Sequence, residues 1–331
     1  MMKENGLLIS EMLREKPYVI DFFKFNGLKL VDEAITIEAF IERQPYSLFE
    51  DMGLDKKRLI RDYYAFIERM EAIRCGALLQ VDSMTLLGGK DKDGLPESGR
   101  LVMKKGEIIG IVGPTGSGKS RLLADIEWLA RGDTPTGRRV LINGEIPPEN
   151  WRTSSAHRLV AQISQNMNFV MDLSVQEFLR LHVESRLIDN PDEKIAAILN
   201  EANHLSGEAF DPSTPLTALS GGQSRALMIA DAALLCISPI VLIDEIENAG
   251  IDKVKALKLL ASRDKIVLIA THDPLLVLNA DQRIVIKNGG ICKTIWTSPD
   301  EKGICSELKQ LDDRLSQCRE QLRKGQKITF N

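Results

Sequence analysis

Residues 113–120 read Gly-Pro-Thr-Gly-Ser-Gly-Lys-Ser and satisfy the spacing GxxxxGK[ST] at every fixed position. Glycines let the backbone curl until several N–H groups face one centre. A helix that starts where such a loop ends adds about half a positive charge. The pattern is therefore a cradle for a nucleoside triphosphate. Gly113, Pro114, Thr115, Gly116, Ser117 and Gly118 wrap the phosphates, Lys119 reaches the β- and γ-phosphates, and Ser120 holds Mg²⁺. Such a cradle needs a strand before it and a helix behind it. Ile108, Ile109, Ile111 and Val112 form the apolar run of a buried parallel strand, and residues 121–130 repeat apolar side chains at three and four, as a helix does.

Other polar groups close apolar runs further along. Residues 239–243 read as a buried strand and end in Asp244-Glu245. Two adjacent carboxylates at a strand end are costly without a cation. Asp244 suits Mg²⁺, shared with Ser120, and Glu245 suits orienting or deprotonating an attacking water. Residues 266–270 are a second such strand, ending in Thr271-His272-Asp273. A neutral His272 imidazole can donate to a γ-phosphate as charge develops. Leu219-Ser220-Gly221-Gly222-Gln223 precedes an apolar helix, so Ser220, Gly221 and Gly222 make a second anion-binding turn.

The elements that must position these groups occupy most of the chain. Its 331 residues suit two domains at about 150 residues each. An apolar fraction of 44% allows a sizeable core, and a net charge of −4 argues against a nucleic-acid partner or a general affinity for anionic membranes. Cys75, Cys236, Cys292, Cys305 and Cys318 include no CxxC pair, which argues against a zinc site or a disulfide framework and for a reducing compartment. The N-terminus carries Lys3, Glu4, Glu11, Arg14, Glu15 and Lys16 with no long apolar core, unlike a secretory signal. The most apolar region, 226–243, is interrupted by Asp231 and Pro239 and reads as a helix and a buried strand, not a membrane span. A cytoplasmic location follows, peripheral at the inner face of a membrane if another subunit supplies the spans.

Residues 1–75 are expected to form a small all-α domain. Pro17 opens one helix and Gly27 ends it; Thr36 caps a second, which Pro45 stops; Asp55 caps a third that carries Leu59, Tyr63, Phe66 and Met70. This segment resembles a small helical domain found beside redox and iron–sulfur proteins, although the cysteine common in that domain is missing; a docking role is the plainer reading. Residues 88–94 are a polar turn between strands, and Asn143-Gly144 closes another strand. From Glu301 the tail carries Ile304, Leu308, Leu311, Leu315, Cys318 and Leu322 at alternating four and three, a seam for a second copy or for the chain's own core.

Taken in this order, residues 76–300 resemble an ATP-binding cassette (ABC) ATPase. The phosphate loop matches its Walker A motif, Leu219–Gln223 its complete LSGGQ signature, and Asp244-Glu245 its Walker B aspartate and adjoining glutamate. The resemblance implies an α/β fold: a P-loop NTPase core of ABC type with a helical signature subdomain at about 171–235, preceded by the all-α domain and followed by a C-terminal helix, 301–331. It implies that Gln165 is the Q-loop glutamine, touching metal and attacking water, with Gln162 the alternative. Asp252 becomes the D-loop aspartate and His272 the switch histidine. It further implies ATP and Mg²⁺ as ligands and a head-to-tail homodimer, in which Ser220, Gly221, Gly222, Gln223 and Asp252 complete the site of the other copy.

Two departures stand out. No aromatic lies in 81–89 to stack on adenine, so Leu86 or Leu87, or Tyr63, Tyr64 or Phe66 from the preceding helix, is expected there, with loose base selectivity. After Glu245 the chain reads Ile-Glu-Asn-Ala-Gly-Ile-Asp, not the common Pro-Thr-Ser-x-Leu-Asp. Two outputs fit an ATPase of this type. The energy subunit of an ABC transporter is indicated by residues 165–179, which resemble the region that receives a membrane subunit. A soluble ATPase for remodelling, assembly or metalloenzyme activation is indicated by the extra domain and the altered segment after Glu245.

Overall fold

The computed structural model describes residues 6–30, 32–45, 49, 55–74, 80–97, 99–153, 159–164, 169, 171–186, 188, 190–244, 250–262 and 264–328. Its contacts divide the chain into residues 1–77 and 78–331. The first unit contains helices α1 (Ile9–Glu15), α2 (Val19–Phe25), α3 (Ile37–Arg43) and α4 (Lys56–Arg74). Thr36 accepts the Ala39 N–H at 3.3 Å and so starts α3, and Gly27 closes α2 at φ +63°. Its core is aromatic: Phe22 meets Tyr63 and Phe23 meets Phe40 edge to face, with ring centroids 5.2 and 5.5 Å apart.

The second unit is built on two sheets. Strands β1 (Ser83–Leu87), β2 (Arg100–Lys104) and β4 (Arg139–Ile142) form a three-stranded antiparallel sheet in the order β2-β1-β4. The larger sheet has the order β5-β6-β7-β3-β8-β9, from β5 (Val160–Ile163), β6 (Ile240–Asp244), β7 (Ile266–Ala270), β3 (Ile108–Val112), β8 (Gln282–Lys287) and β9 (Gly290–Trp296). All its neighbours are parallel except β8 and β9. Strands β6, β3 and β7 are buried almost throughout, which is why they read as unbroken apolar runs.

Helix α5 (Lys119–Glu127) lays Leu122, Leu123 and Ile126 between the two sheets, in one core with Ile109, Ile111 and Leu268. A short helix, α6 (Asn150–Thr153), follows β4. Helices α7 (Val175–Glu184), α8 (Pro191–Leu205) and α9 (Gly221–Leu234) enclose a separate core of Val175, Leu179, Ile198 and Leu227. Helix α9 reaches both regions, because its Ala226, Ile229 and Ala233 pack with Val241, Ile243 and helix α10 (Lys253–Ala261) on the other face of the large sheet. Helices α11 (Pro274–Asn279) and α12 (Pro299–Arg323) complete the chain.

Three expectations need correction. Leu86 is 1% exposed in the core between the sheets, and Tyr63 is 1% exposed in the aromatic core of the first unit, so neither offers a surface to adenine. The tail seam is not absorbed by the chain's own core: Ile304, Leu311, Leu315 and Leu322 are 47%, 55%, 55% and 61% exposed, while Leu308 and Cys318 are only partly covered.

Candidate functional site

The phosphate loop leaves the carboxyl end of β3 and turns into α5. Gly113, Gly116 and Gly118 stand at φ +156°, +75° and +110°, values that side-chain-bearing residues rarely adopt. Space enforces two of the three as well. A Cβ on Gly113 would lie 2.4 Å from the Ile286 carbonyl oxygen, and one on Gly118 would lie 2.9 Å from the Gly289 Cα. Gly118 is the N-cap of α5, so the amides of the first turn have no acceptor within the helix.

The donors gathered here are those an anion requires. Lys119 folds over the loop, its Nζ donating to the Gly113 and Pro114 carbonyls at 2.9 and 3.3 Å. Ser117 is buried, and its Oγ has no hydrogen-bond partner among the described residues. An ammonium on neutral carbonyls, an orphaned hydroxyl and free first-turn amides fit the oxygens of a polyphosphate.

Register brings further groups to the same end of the sheet. Asp244 of β6 is opposite Ala270 of β7, and Ala270 is opposite Ile111 of β3. Asp244, the Thr271-His272 step and the root of the phosphate loop therefore lie on one line across three adjacent parallel strands. Two strand spacings, about 10 Å, span it. The crevice beyond the carboxyl ends of such strands is where ligands bind in open α/β sheets.

A second group forms around the start of α9. Ser220 is its N-cap: its Oγ accepts the Gln223 N–H at 3.3 Å, and Gln223 Oε1 accepts the Ser220 N–H at 2.9 Å. This reciprocal box fixes the turn while leaving the Gly221 and Gly222 amides without intrahelical acceptors. Asp252 joins this group. Its N–H donates to the Leu205 carbonyl at 3.0 Å, its Oδ1 caps α10, and a Cβ on nearby Gly250 would lie 3.8 Å from the Gly222 Cα. Gln165 and Glu245 lie outside the described residues. Gln162, the alternative to Gln165, is in β5, where its amide nitrogen can donate to Glu127 at 3.1 Å.

One connection between the two groups escaped sequence reasoning. Lys253 follows Asp252, Asp273 follows His272, and Lys253 Nζ donates to Asp273 Oδ2 at 2.7 Å. Asp273 is held on its other sides too: its N–H donates to Thr271 Oγ1 and its Oδ1 accepts from Leu275 N, both at 2.9 Å. The only trace in sequence is a charge beside each motif, which any solvated loop would show.

Known proteins resemble this chain over the unit that carries these groups. The family model described as ABC transporter matches residues 98–248. An uncharacterized ABC transporter ATP-binding protein of Methanocaldococcus jannaschii is 50% identical over 252 residues, covering 76% of this chain and 96% of that protein. The methionine import ATP-binding protein MetN of Haemophilus ducreyi is 30% identical, over 59% of this chain and 57% of its own length. Among solved structures, a dimeric ATP-binding cassette bound to ADP and Pi has a TM-score of 0.50 at 24% identity, covering 65% of this chain and 99% of that one. The cbiO1 protein of Clostridium perfringens also has a TM-score of 0.50, at 21% identity, covering 72% and 98%. These two likenesses concern the fold. The close archaeal relative, matched over almost its whole length, carries the assignment: this chain belongs to the ATP-binding proteins of the ABC transporter family and is an ATP-hydrolysing ABC ATPase.

Proposed function

We propose that the chain is the energy subunit of an ABC transporter, hydrolysing ATP as a head-to-tail pair of cassettes. The observation that carries this is the division of polar groups between two places. The phosphate loop, Asp244 and His272 share the carboxyl end of the parallel sheet, whereas Ser220–Gln223 and Asp252 share the start of α9 and α10. Each half is a partial site, and a second copy supplies the other.

In this reading Gly113–Gly118 wrap the phosphates and Lys119 exchanges its two carbonyls for phosphate oxygens. Ser120 and Asp244, with Gln165, are the residues that would hold Mg²⁺, which when bound neutralises charge on the transferred phosphoryl group. Glu245 orients the attacking water and His272 donates to the γ-phosphate. Gly221 and Gly222 of the partner copy turn their amides to the same nucleotide. Among the described residues no helix is long and apolar enough to cross a bilayer. The spans belong to a separate membrane subunit, and the cassette works at its cytoplasmic face.

The first unit favours a second reading, a soluble ATPase that remodels or activates a partner protein, since residues 1–77 fold around a core of their own. Two measurements test the choice. Mg²⁺-dependent ATPase activity should fall about 10²- to 10³-fold in Lys119→Ala, the usual loss when one electrostatic stabiliser of a transition state goes. Tagged protein recovered from separated membrane and soluble fractions should bring down a polytopic membrane protein; recovery solely with a soluble enzyme would replace the transporter reading by the second one.

A further inference from the structure

The polar stretch 88–97, between β1 and β2, is a folded arm and not a loose turn. Asp91 Oδ1 accepts the N–H groups of Asp93 and Leu95, each at 2.9 Å, and the Lys90 N–H donates to the Thr136 carbonyl at 2.7 Å. Gly89 passes so close to residues 136–138 that a Cβ there would lie 2.0 Å from the Thr136 oxygen. At the far end of the arm the Glu97 side chain is 2% exposed and Arg138, facing it, is 0% exposed. Glu97 accepts from Arg138 Nε at 3.0 Å, from the Gly89 N–H at 2.9 Å and from the Ile291 N–H at 2.7 Å. Arg138 also donates to Asp125 Oδ2 of α5 at 3.0 Å and to the Gly289 carbonyl at 2.7 Å.

Two groups tied to this arm and cluster, Gly289 and Lys92, touch the phosphate loop. The Gly289 N–H donates to the Ser117 carbonyl at 2.7 Å. The Lys92 N–H donates to the Asn288 carbonyl at 3.0 Å, and Lys92 Nζ donates to the Gly116 carbonyl at 2.8 Å. Carbonyl and N–H of one trans peptide point opposite ways. Drawing the Ser117 carbonyl toward Gly289, in the turn between β8 and β9, therefore aims the Gly118 N–H away from that turn. Drawing the Gly116 carbonyl toward Lys92 aims the Ser117 N–H at the Pro114 carbonyl, the 3.1 Å bond that closes the loop. A buried ion cluster of this kind contributes little net stability over apolar side chains of similar volume. Its effect here is positional.

We propose that Lys92 is a positioning residue for nucleotide binding, carried on the 88–97 arm and the Glu97–Arg138 cluster, and that it holds the phosphate loop in its anion-receiving shape. The proposal rests on reading residues 113–120 as the triphosphate site. Lys92 touches a carbonyl of the loop and no group that reacts, so its removal acts on affinity and leaves the chemical step nearly alone. This separates it from a residue that merely stabilises the fold.

The test compares Lys92→Met, Lys92→Arg and Lys119→Ala in the full chain, by titration with a fluorescent ATP analogue and by steady-state ATPase kinetics. Lys92→Met should raise Kd and KM about tenfold, the effect of one charge-assisted hydrogen bond, with kcat within about twofold. Lys92→Arg, which keeps the donor and the charge, should stay within about threefold of the parent. If Lys119→Ala loses binding while Lys92→Met binds as the parent does, the arm has no such role and the phosphate-loop reading stands. Equal impairment of the Met and Arg variants, or a fall in kcat at unchanged Kd, also overturns the proposal. Unchanged binding in Lys119→Ala would remove the phosphate-loop reading and this inference together.

Discussion

Arg138 shows what a single buried charge does in this chain. Burial opposes its charge, yet the hydrogen bonds and opposite charges of Glu97 and Asp125 outweigh that and hold its pKa above the usual arginine value. Glu97 is the mirror case: burial would raise its carboxyl, but hydrogen bonds from Arg138 and the Gly89 and Ile291 amides hold it below the ordinary carboxylate value. A depressed acid contributes stability that is present above its unfolded pKa and is lost as pH falls through the folded one. Arg138→Met leaves Glu97 buried without a counter-charge and Asp125 with only Arg121 Nε at 3.9 Å, a change that costs about 3–5 kcal/mol. Glu97, left with burial as its dominant influence, would then take up a proton more readily, so the sign reverses. The variant should be weakest relative to the parent at pH 7 and recover part of the difference at pH 5. Urea unfolding at both pH values measures it, and an equal deficit at the two would contradict the argument. None of this is legible in the sequence. Glu97 and Arg138 are 41 residues apart, and a tertiary ion pair leaves no periodic mark. Residues 113–120 are legible because their spacing is local and their glycine conformations follow from residue type.

At the scale of elements, the readable parts are those in which local signals and burial agree. Thr36 and Ser220 each start the helix expected behind them, and strands β3, β6 and β7 have the apolar runs of a sheet covered on both faces. Less readable is how two loops join. Lys253 and Asp273 begin neighbouring helices, α10 and α11, and their 2.7 Å ion pair ties the residue after Asp252 to the residue after His272. Both side chains are 15% exposed, so solvent screens the pair only in part. Movement of Asp252 would thus reach His272 through two adjacent peptide units. We expect Lys253→Met to lower kcat about tenfold with the ATP Kd unchanged, because in the proposed reading the pair orients groups near the reacting phosphate and holds none of the nucleotide. The swapped pair Lys253→Asp/Asp273→Lys loses the cap on α11 and should restore less than half of that loss. Stopped-flow binding beside steady-state turnover separates the two constants; a matching rise in Kd would show that the pair supports binding instead.

At the scale of the whole molecule, the proposed reading gives one chain two half-sites, which a second copy would complete. The amides of Gly221 and Gly222 are held ready by the Ser220–Gln223 box, with nothing in the box itself to receive them. ATP between two copies would meet the phosphate loop of one and this turn of the other, so the nucleotide favours the closed pair by its differential contacts. Turnover would then release it. Glu245→Gln keeps the shape of the side chain but removes the carboxylate assigned to the attacking water, so ATP stays intact and the closed pair persists. Light scattering after size exclusion should give twice the monomer mass for Glu245→Gln with saturating ATP and Mg²⁺, and the monomer mass with ADP. Adding Lys119→Ala should return it to monomer even with ATP, because the nucleotide no longer binds. The exposed seam on α12 supplies the internal control. A dimer held by Ile304, Leu311, Leu315 and Leu322 would persist without nucleotide and break when Leu311 and Leu315 become polar. A dimer held by ATP would do neither, and a Glu245→Gln protein that stays monomeric at saturating ATP would leave the two-copy site without foundation.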